Sequence, residues 1–151
     1  MVVTAPQSNV LSASEESVAL RLAQARNIPK ADRDLKAGKW NRSRWTGVGL
    51  HGKTLGVVGL GRVGVLVAQR CLAFGMRLVA YDPYVSAERA RQLGVELEPA
   101  LGNLVETADF LTNHLPTTPD TCGLLIAEPP ARAKPLLRTV NPPPRAAAAP
   151  A

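Results

Sequence analysis

Lys53-Thr-Leu-Gly-Val-Val-Gly-Leu-Gly-Arg-Val-Gly64 is the stretch that decides the fold of this chain. It starts as a short apolar run, as a buried strand does, and ends in the spacing G-x-G-x-x-G at Gly59, Gly61 and Gly64. Residues 65–74 then carry apolar side chains at helical spacing, and a second apolar run covers residues 76–82. The pattern predicts a strand, a glycine turn, a helix and a second strand, in that order.

Each glycine has a separate expected role. Gly59 permits the tight turn out of the strand, Gly61 lets backbone amides approach a pyrophosphate, and Gly64 lets the helix pack close to the sheet. The helix N-terminus directs unpaired N–H groups and a partial positive charge at the same place. The alternative is a surface loop whose glycines serve only to allow a positive φ.

Asp82 ends the second predicted strand, at about the 20-residue offset where an acid binds the ribose hydroxyls of a dinucleotide. The order of these features is the one that a dinucleotide site requires: a strand, the glycines, a helix, a second strand and an acid. The sequence therefore predicts a dinucleotide site. Asp82 favours NAD as the cofactor, because a carboxylate there would repel the 2′-phosphate of NADP.

Composition indicates one globular domain, since the chain has 151 residues of which 46% are hydrophobic. No window approaches the ~20 apolar residues of a membrane span, and the first residues lack the pattern of a secretory leader. We therefore expect a cytoplasmic protein without a membrane partner. Cys71 and Cys122 form no C-x-x-C motif and have no neighbouring histidine, so we expect no metal site.

The net charge of +6 comes largely from basic residues between Arg21 and Lys53. Trp40 and Trp45 lie in this stretch beside arginines, a combination compatible with stacking on nucleic-acid bases. Aromatic residues make up only 4% of the chain and no reader motif is present, so we expect no nucleic-acid partner. We interpret the charge as a solvated surface, with Arg21 facing water, and the tryptophans as a cover for an apolar edge of the domain.

The remaining elements predict an α/β fold, a Rossmann-like doubly wound parallel sheet. Its ligand edge should combine the glycine loop, Asp82 and the residues His114, Leu115 and Pro116. Asn113, in a strand expected to be buried on both faces, needs a hydrogen-bond partner. The other predicted elements are a helix from a capping box at Ser12 and Glu15 to Asn27, a short helix over 30–38, a helix over 86–93 with Ser86 as N-cap, a helix over 101–107, and strands over 95–97, 108–116 and 137–141.

Several short motifs together resemble the NAD-binding domain of the D-2-hydroxyacid dehydrogenases. They are Thr4-Ala-Pro-Gln-Ser-Asn9, Ser12-Ala-Ser-Glu15, Gly38-Lys-Trp40, Gly52-Lys-Thr-Leu-Gly56, Gly59-x-Gly-Arg-Val-Gly64, Phe74-Gly-Met76, Tyr81-Asp-Pro83, Ala108-Asp-Phe110 and His114-Leu-Pro116.

The resemblance implies a role for several residues. Arg62 and Val63 would lie against the pyrophosphate, Asp82 would hold the adenosine ribose, and His114, Leu115 and Pro116 would line the cofactor cleft. The implied reaction moves a hydride between a small 2-hydroxy acid and NAD. Members of the family commonly pair through this domain, with its N-terminal helix contributing, which makes a homodimer an expectation.

The C-terminal part departs from the family pattern. The family's substrate-binding arginine follows the last strand in an Asn-x-x-Arg-Gly turn, whereas this chain has Asn141-Pro-Pro-Pro-Arg145, so Arg145 is only a weak catalytic candidate. We assign residues 1–141 to a partial NAD-binding domain and 142–151 to a disordered Pro/Ala tail. We expect these residues to contain no substrate domain, and we expect the sheet to be incomplete at its C-terminal edge.

Three interpretations follow. The first is the cofactor domain of an NAD-dependent dehydrogenase, inactive alone because a hydride donor and acceptor must be held together with the catalytic groups. The second is a non-catalytic module that senses NAD or binds a partner. The third is a chain whose uncovered sheet edge prevents folding.

Overall fold

The computed structural model describes residues 9–115 and 133–140. In these residues helices and strands alternate after two initial helices. The helices are α1 Val10–Ala25, α2 Ile28–Lys36, α3 Arg62–Ala73, α4 Ala87–Gln92 and α5 Leu101–Thr107, and the strands are β1 Thr54–Val58, β2 Arg77–Tyr81, β3 Glu96–Leu97, β4 Phe110–Asn113 and β5 Arg138–Val140.

The strands form one sheet in the order β3-β2-β1-β4-β5, and every neighbouring pair is parallel. This confirms the predicted α/β Rossmann-like fold. In the register, Val58 lies beside Tyr81 on one side and Asn113 on the other, so the three central strands end together. The incomplete C-terminal edge that we expected, and the tail over 142–151, involve residues that the structure does not describe.

Two apolar clusters cover the two faces of the sheet. Residues such as Leu55, Val67 and Phe110 pack on the side of α1 and α3, and Val58, Leu104 and Leu111 pack on the side of α5. All five residues of β1 are buried, as a central parallel strand requires. Burial on both faces fixes the position of β1, and with it the position of the glycine loop that follows.

The first helix begins earlier than predicted. Asn9, not Ser12, is the N-cap of α1, and the Ser12 hydroxyl donates back to the Asn9 side chain at 3.3 Å. The capping box was therefore wrong, because Ser12 already lies inside the first turn. By contrast, the prediction for α4 is confirmed, since Ser86 Oγ accepts a hydrogen bond from Arg89 N at 3.2 Å.

Arg21 does not face water as we expected, but is completely buried. The buried positions of α1 are Ser14, Ser17, Arg21 and Ala25, and α1 packs mainly on α3. Leu20, next to Arg21, is 43% exposed instead. The sequence prediction failed because the helix turns its polar stripe, not its most apolar one, towards α3.

The two tryptophans differ in their surroundings. Trp45 is partly buried, and its indole N–H donates to Asp34 Oδ2 of α2 at 2.7 Å. Trp40 is 79% exposed, so the prediction that both rings cover an apolar edge is wrong for Trp40. The guanidinium of Arg44 also lies over the indole of Trp45, 5.0 Å from its centroid.

Candidate functional site

The carboxyl ends of β1, β2 and β4 meet at one edge of the sheet and place three predicted residues together. Gly59 N donates to Tyr81 O at 2.9 Å, and His114 N donates to Val58 O at 2.8 Å. Gly59, Asp82 and His114 thus follow neighbouring strands at the edge where parallel α/β sheets bind ligands.

Gly59 has both a conformation and a neighbourhood that exclude a side chain. Its φ is +90°, in the left-handed region that L-residues avoid. A Cβ there would also lie 3.0 Å from Leu115 Cδ2 and 3.1 Å from the carbonyl carbon of His114. The turn out of β1 therefore passes directly against the segment that follows β4.

Gly64 and Gly61 differ in the space around them. A Cβ on Gly64 would overlap the carbonyl oxygen of Gly59, so this glycine allows α3 to pack against the turn. A Cβ on Gly61 would meet no atom within 4 Å. The roles predicted for Gly59 and Gly64 in turning and packing agree with these contacts, and Gly61 borders open space.

Helix α3 begins at Arg62, directly after Gly61, three residues before the predicted start. Gly61 provides no side-chain cap, and the first turn of α3 contains no acidic residue. Val65 N bonds Gly61 O at 3.0 Å as the first intrahelical bond, so the amides before it have no intrahelical acceptor. Arg62 is exposed and Val63 is partly buried at this positive helix end.

The Asp82 carboxylate joins the loops after β1 and β2. Its Oδ2 accepts from Leu60 N at 2.8 Å and its Oδ1 accepts from Tyr84 N at 2.9 Å. The second bond is an Asx turn, which the order Asp-Pro-Tyr could have predicted. The first was not predictable, because it depends on the pairing of β1 with β2. Each carboxylate oxygen keeps a further lone pair for a ligand.

The segment after β4 is held by its own side chains. Thr112 Oγ1 lies 2.9 Å from His114 Nε2, and Asn113 Oδ1 accepts from Leu115 N at 3.1 Å. Asn113 thus has the partner that its position required. Burial, with a smaller effect of the charge on Arg21, lowers the pKa of His114 to about 4, so the ring is neutral at pH 7.

A cavity of about 700 Å³ borders the glycine loop on the side of α3 and α4. Its walls are mostly apolar and carry two arginines, with no acidic side chain. The lining residues are Val10, Leu11, Leu60, Gly61, Arg62, Val65, Leu66, Gln69, Val85, Arg89 and Leu93.

Three residues of the sequence predictions, Pro116, Cys122 and Arg145, lie outside the described residues. Within residues 9–115 and 133–140, no three His, Cys, Asp or Glu side chains are grouped so as to hold a metal ion. No helix of that part is long and apolar enough to cross a membrane.

Comparison with known proteins identifies the family. Residues 18–142 match the family model described as D-isomer specific 2-hydroxyacid dehydrogenase, NAD binding domain. The chain belongs to this family. It is 54% identical over 141 residues to a D-3-phosphoglycerate dehydrogenase of Mycobacterium tuberculosis, a match that covers 93% of this chain and 26% of the relative.

Solved structures of other dehydrogenases share the fold. The D-lactate dehydrogenase from Escherichia coli aligns with a TM-score of 0.81 at 33% identity, over 93% of this chain and 44% of that one. The NAD-dependent formate dehydrogenase from Staphylococcus aureus in complex with NAD gives 0.78 at 32% identity, over 89% and 40%. The chain is thus the NAD-binding domain of a 2-hydroxyacid dehydrogenase, and it spans about a quarter of the length of its curated relatives.

Proposed function

We propose that this chain is the NAD-binding domain of a D-3-phosphoglycerate dehydrogenase. The high identity to the mycobacterial enzyme supports this substrate. For the cofactor site we propose Gly59, Gly61, Arg62, Val63, Gly64, Asp82, His114, Leu115 and Pro116. The observation that carries this site is the open space beside Gly61 at an uncapped helix N-terminus, with Asp82 following the neighbouring strand.

The residues present suit a dinucleotide. The amides of the first turn of α3 donate to the diphosphate, and the partial charge of the helix end and the side chain of Arg62 attract it. Asp82 accepts from ribose hydroxyls while it remains bonded to Leu60 N. His114 and Leu115 form the wall on the side of β4. NAD, when bound, supplies the hydride acceptor for oxidation of a 2-hydroxy acid.

We expect the chain by itself to bind NAD and to oxidise no substrate. Catalysis requires the hydride acceptor, a substrate-binding arginine and an acid-base group in one geometry. Arg145 remains a weak candidate for the arginine. His114 belongs to the cofactor wall, and we assign it no acid-base role. A small 2-hydroxy acid is therefore the substrate of a longer protein that contains this domain.

The initial helices favour a homodimer as the assembly. Of the exposed large apolar side chains, Leu11, Leu20, Ile28, Leu35 and Trp40 lie in α1, in α2 or just after them. A second copy of the chain would cover this surface. The same surface supports the alternative function, an NAD-sensing module that binds another protein. We place the protein in the cytoplasm, without a nucleic-acid or membrane partner.

Titration of the purified chain with NAD and with NADP tests the proposed cofactor site. Calorimetry should show binding of NAD in preference to NADP, and thermal melting should show stabilisation by NAD. Asp82→Asn should weaken NAD binding, because it removes a charged acceptor for the ribose. Asp32→Asn, on the exposed face of α2 beside Lys36, is the matched control. A cooperative melt with no response to NAD would refute the site.

A further inference from the structure

Thr112 and Asn113 hold the two residues that face Gly59. Thr112 is completely buried, and its hydroxyl lies 2.9 Å from His114 Nε2. Asn113 accepts from Leu115 N at 3.1 Å. Each contact joins a residue to the second one after it, so the last two residues of β4 restrain the first two residues beyond the strand.

The two restraints act from opposite faces of the sheet. Side chains alternate along a strand, and Phe110 packs in the cluster on the side of α1 and α3, whereas Leu111 packs on the side of α5. Thr112 therefore shares the face of Phe110, and Asn113 shares the face of Leu111. A segment held from both faces can neither tilt nor shift as a whole towards the glycine loop.

We propose that Thr112 and Asn113 are positioning residues for the cofactor site. Thr112 sets the orientation of the His114 imidazole, and Asn113 sets the peptide of Leu115, so that the wall after β4 stands at a fixed distance from the loop after β1. The inference rests on the proposed function, because it gives this wall its role as one side of the NAD cleft.

The crowding at Gly59 shows why the position of the wall is critical. A Cβ on Gly59 would already lie 3.0 Å from Leu115 Cδ2 and 3.1 Å from Leu115 N. The loop and the segment therefore leave no space for a side chain between them, and a movement of the segment would change the width of the cleft at Gly59. Fixed placement of such groups is what binding sites require of their supporting side chains.

The neutral His114 ring can pair with Thr112 in either tautomer. A neutral imidazole has one N–H and one lone pair, and a hydroxyl can accept from the first or donate to the second. Burial and the charge on Arg21 keep His114 neutral at pH 7. The Thr112 hydroxyl therefore holds the ring at Nε2 with either tautomer, and Nδ1 is the ring nitrogen left for other partners.

Paired variants test the inference. Thr112→Val keeps the shape and removes the hydroxyl, while Thr112→Ser keeps the hydroxyl. Asn113→Ala removes the acceptor for Leu115 N, while Asn113→Ser keeps an uncharged one. We expect about a five- to tenfold weaker NAD affinity by calorimetry for Thr112→Val and Asn113→Ala, the size of one lost hydrogen bond, and near-normal affinity for the other two variants.

The imidazole nitrogen shifts of His114, measured by NMR without NAD, provide a second readout. The chain has two histidines, so His51→Gln assigns the signals. Thr112→Val should shift the Nε2 signal of His114, because it removes the hydrogen bond at that nitrogen, and Thr112→Ser should restore it. Thr107→Val is the control, because that hydroxyl donates to Asn103 O on the exposed surface of α5.

The outcomes separate this inference from the proposed function. Unchanged ring shifts and unchanged NAD affinity in Thr112→Val and Asn113→Ala would overturn the inference and leave the NAD site intact. If the unaltered chain binds no NAD, the proposed site itself is refuted. If Thr112→Val fails to fold, Asn113→Ala tests the inference instead, because Asn113 is only partly buried. Normal NAD affinity in Asn113→Ala would contradict the inference.

Discussion

The glycine loop and the buried face of α1 both contain buried polar groups, and the two regions differ in how these groups are hydrogen-bonded. In the loop, Gly59 N and Leu60 N both have acceptors, in Tyr81 O and Asp82 Oδ2. On α1, Arg21 is completely buried next to Cys71 of α3, and within residues 9–115 and 133–140 its Nε, Nη1 and Nη2 have no partner at hydrogen-bond geometry. The buried amides at Gly59 and Leu60 are therefore matched by acceptors, whereas the α1–α3 contact contains a buried charge without a matching acceptor among the described residues.

The neighbours of Arg21 on the same face show the difference. Ser14 Oγ donates to Leu11 O at 2.6 Å and Ser17 Oγ donates to Ala13 O at 2.8 Å, so both hydroxyls use the backbone of their own helix. A buried serine hydroxyl can find its hydrogen-bond acceptor in the backbone of its own helix. A buried guanidinium with five N–H donors requires acceptors from other elements.

The largest effect should come from Gly64→Ala. The new Cβ would overlap Gly59 O, so α3 or the loop must shift, and we expect a loss of about 3–5 kcal/mol of unfolding free energy. Urea unfolding followed by circular dichroism measures it. Gly49→Ala is the control, because a Cβ there meets nothing within 4 Å. Equal stability of the two variants would contradict the tight packing of the loop.

Acid should remove the next largest amount of stability. The pKa of His114 is lowered from 6.5 to about 4 in the folded chain, so the unfolded chain binds its proton first as pH falls. The contribution of His114 is fully present above pH 6.5 and is lost towards pH 4, up to about 3 kcal/mol. Between pH 7 and pH 5, urea unfolding should show about 2 kcal/mol of this loss. His114→Gln should show a smaller decrease over the same range, and an equal decrease would argue against the assignment.

Arg21→Met should stabilise the fold by about 2 kcal/mol, since it replaces a buried unpaired cation with an apolar side chain of similar length. The pKa of His114 should rise as well, because one cause of its lowering is removed. Denaturant unfolding and NMR titration measure the two effects. Arg26→Met, at an exposed arginine just after α1, is the matched control. Destabilisation by Arg21→Met would mean that the guanidinium has a favourable role inside the domain.

The smallest effect on stability should come from Gly61→Ala. No atom lies within 4 Å of the new Cβ and the φ of this residue is −70°, so unfolding should change by less than about 1 kcal/mol. NAD affinity should nevertheless fall at least about tenfold, because the methyl group occupies the space proposed for the diphosphate. Normal affinity would place the cofactor elsewhere. Together with Gly64→Ala, this variant separates packing from binding within one loop.

Much of the fold could be predicted from local pattern. The apolar runs gave the central strands, the glycine spacing gave the turn and the start of a helix, and Ser86 gave a cap. The predicted site residues Asp82 and His114 follow the ends of strands, where periodicity locates them well. The contact of Asp82 with Leu60 N, the burial of Arg21 and the exposure of Trp40 could not be predicted, because each depends on tertiary packing and not on local pattern.

The sequence by itself determined the alternation of strands and helices, the edge at which β1, β2 and β4 end, and the family of the domain. These properties follow from periodicity, glycine spacing and short motifs, which act within a few residues. Only the tertiary structure decided which face of α1 meets α3 and which amides Asp82 accepts. It also decided that Leu115 packs against Gly59. Such contacts depend on the register and packing of separate elements, and no local pattern encodes them.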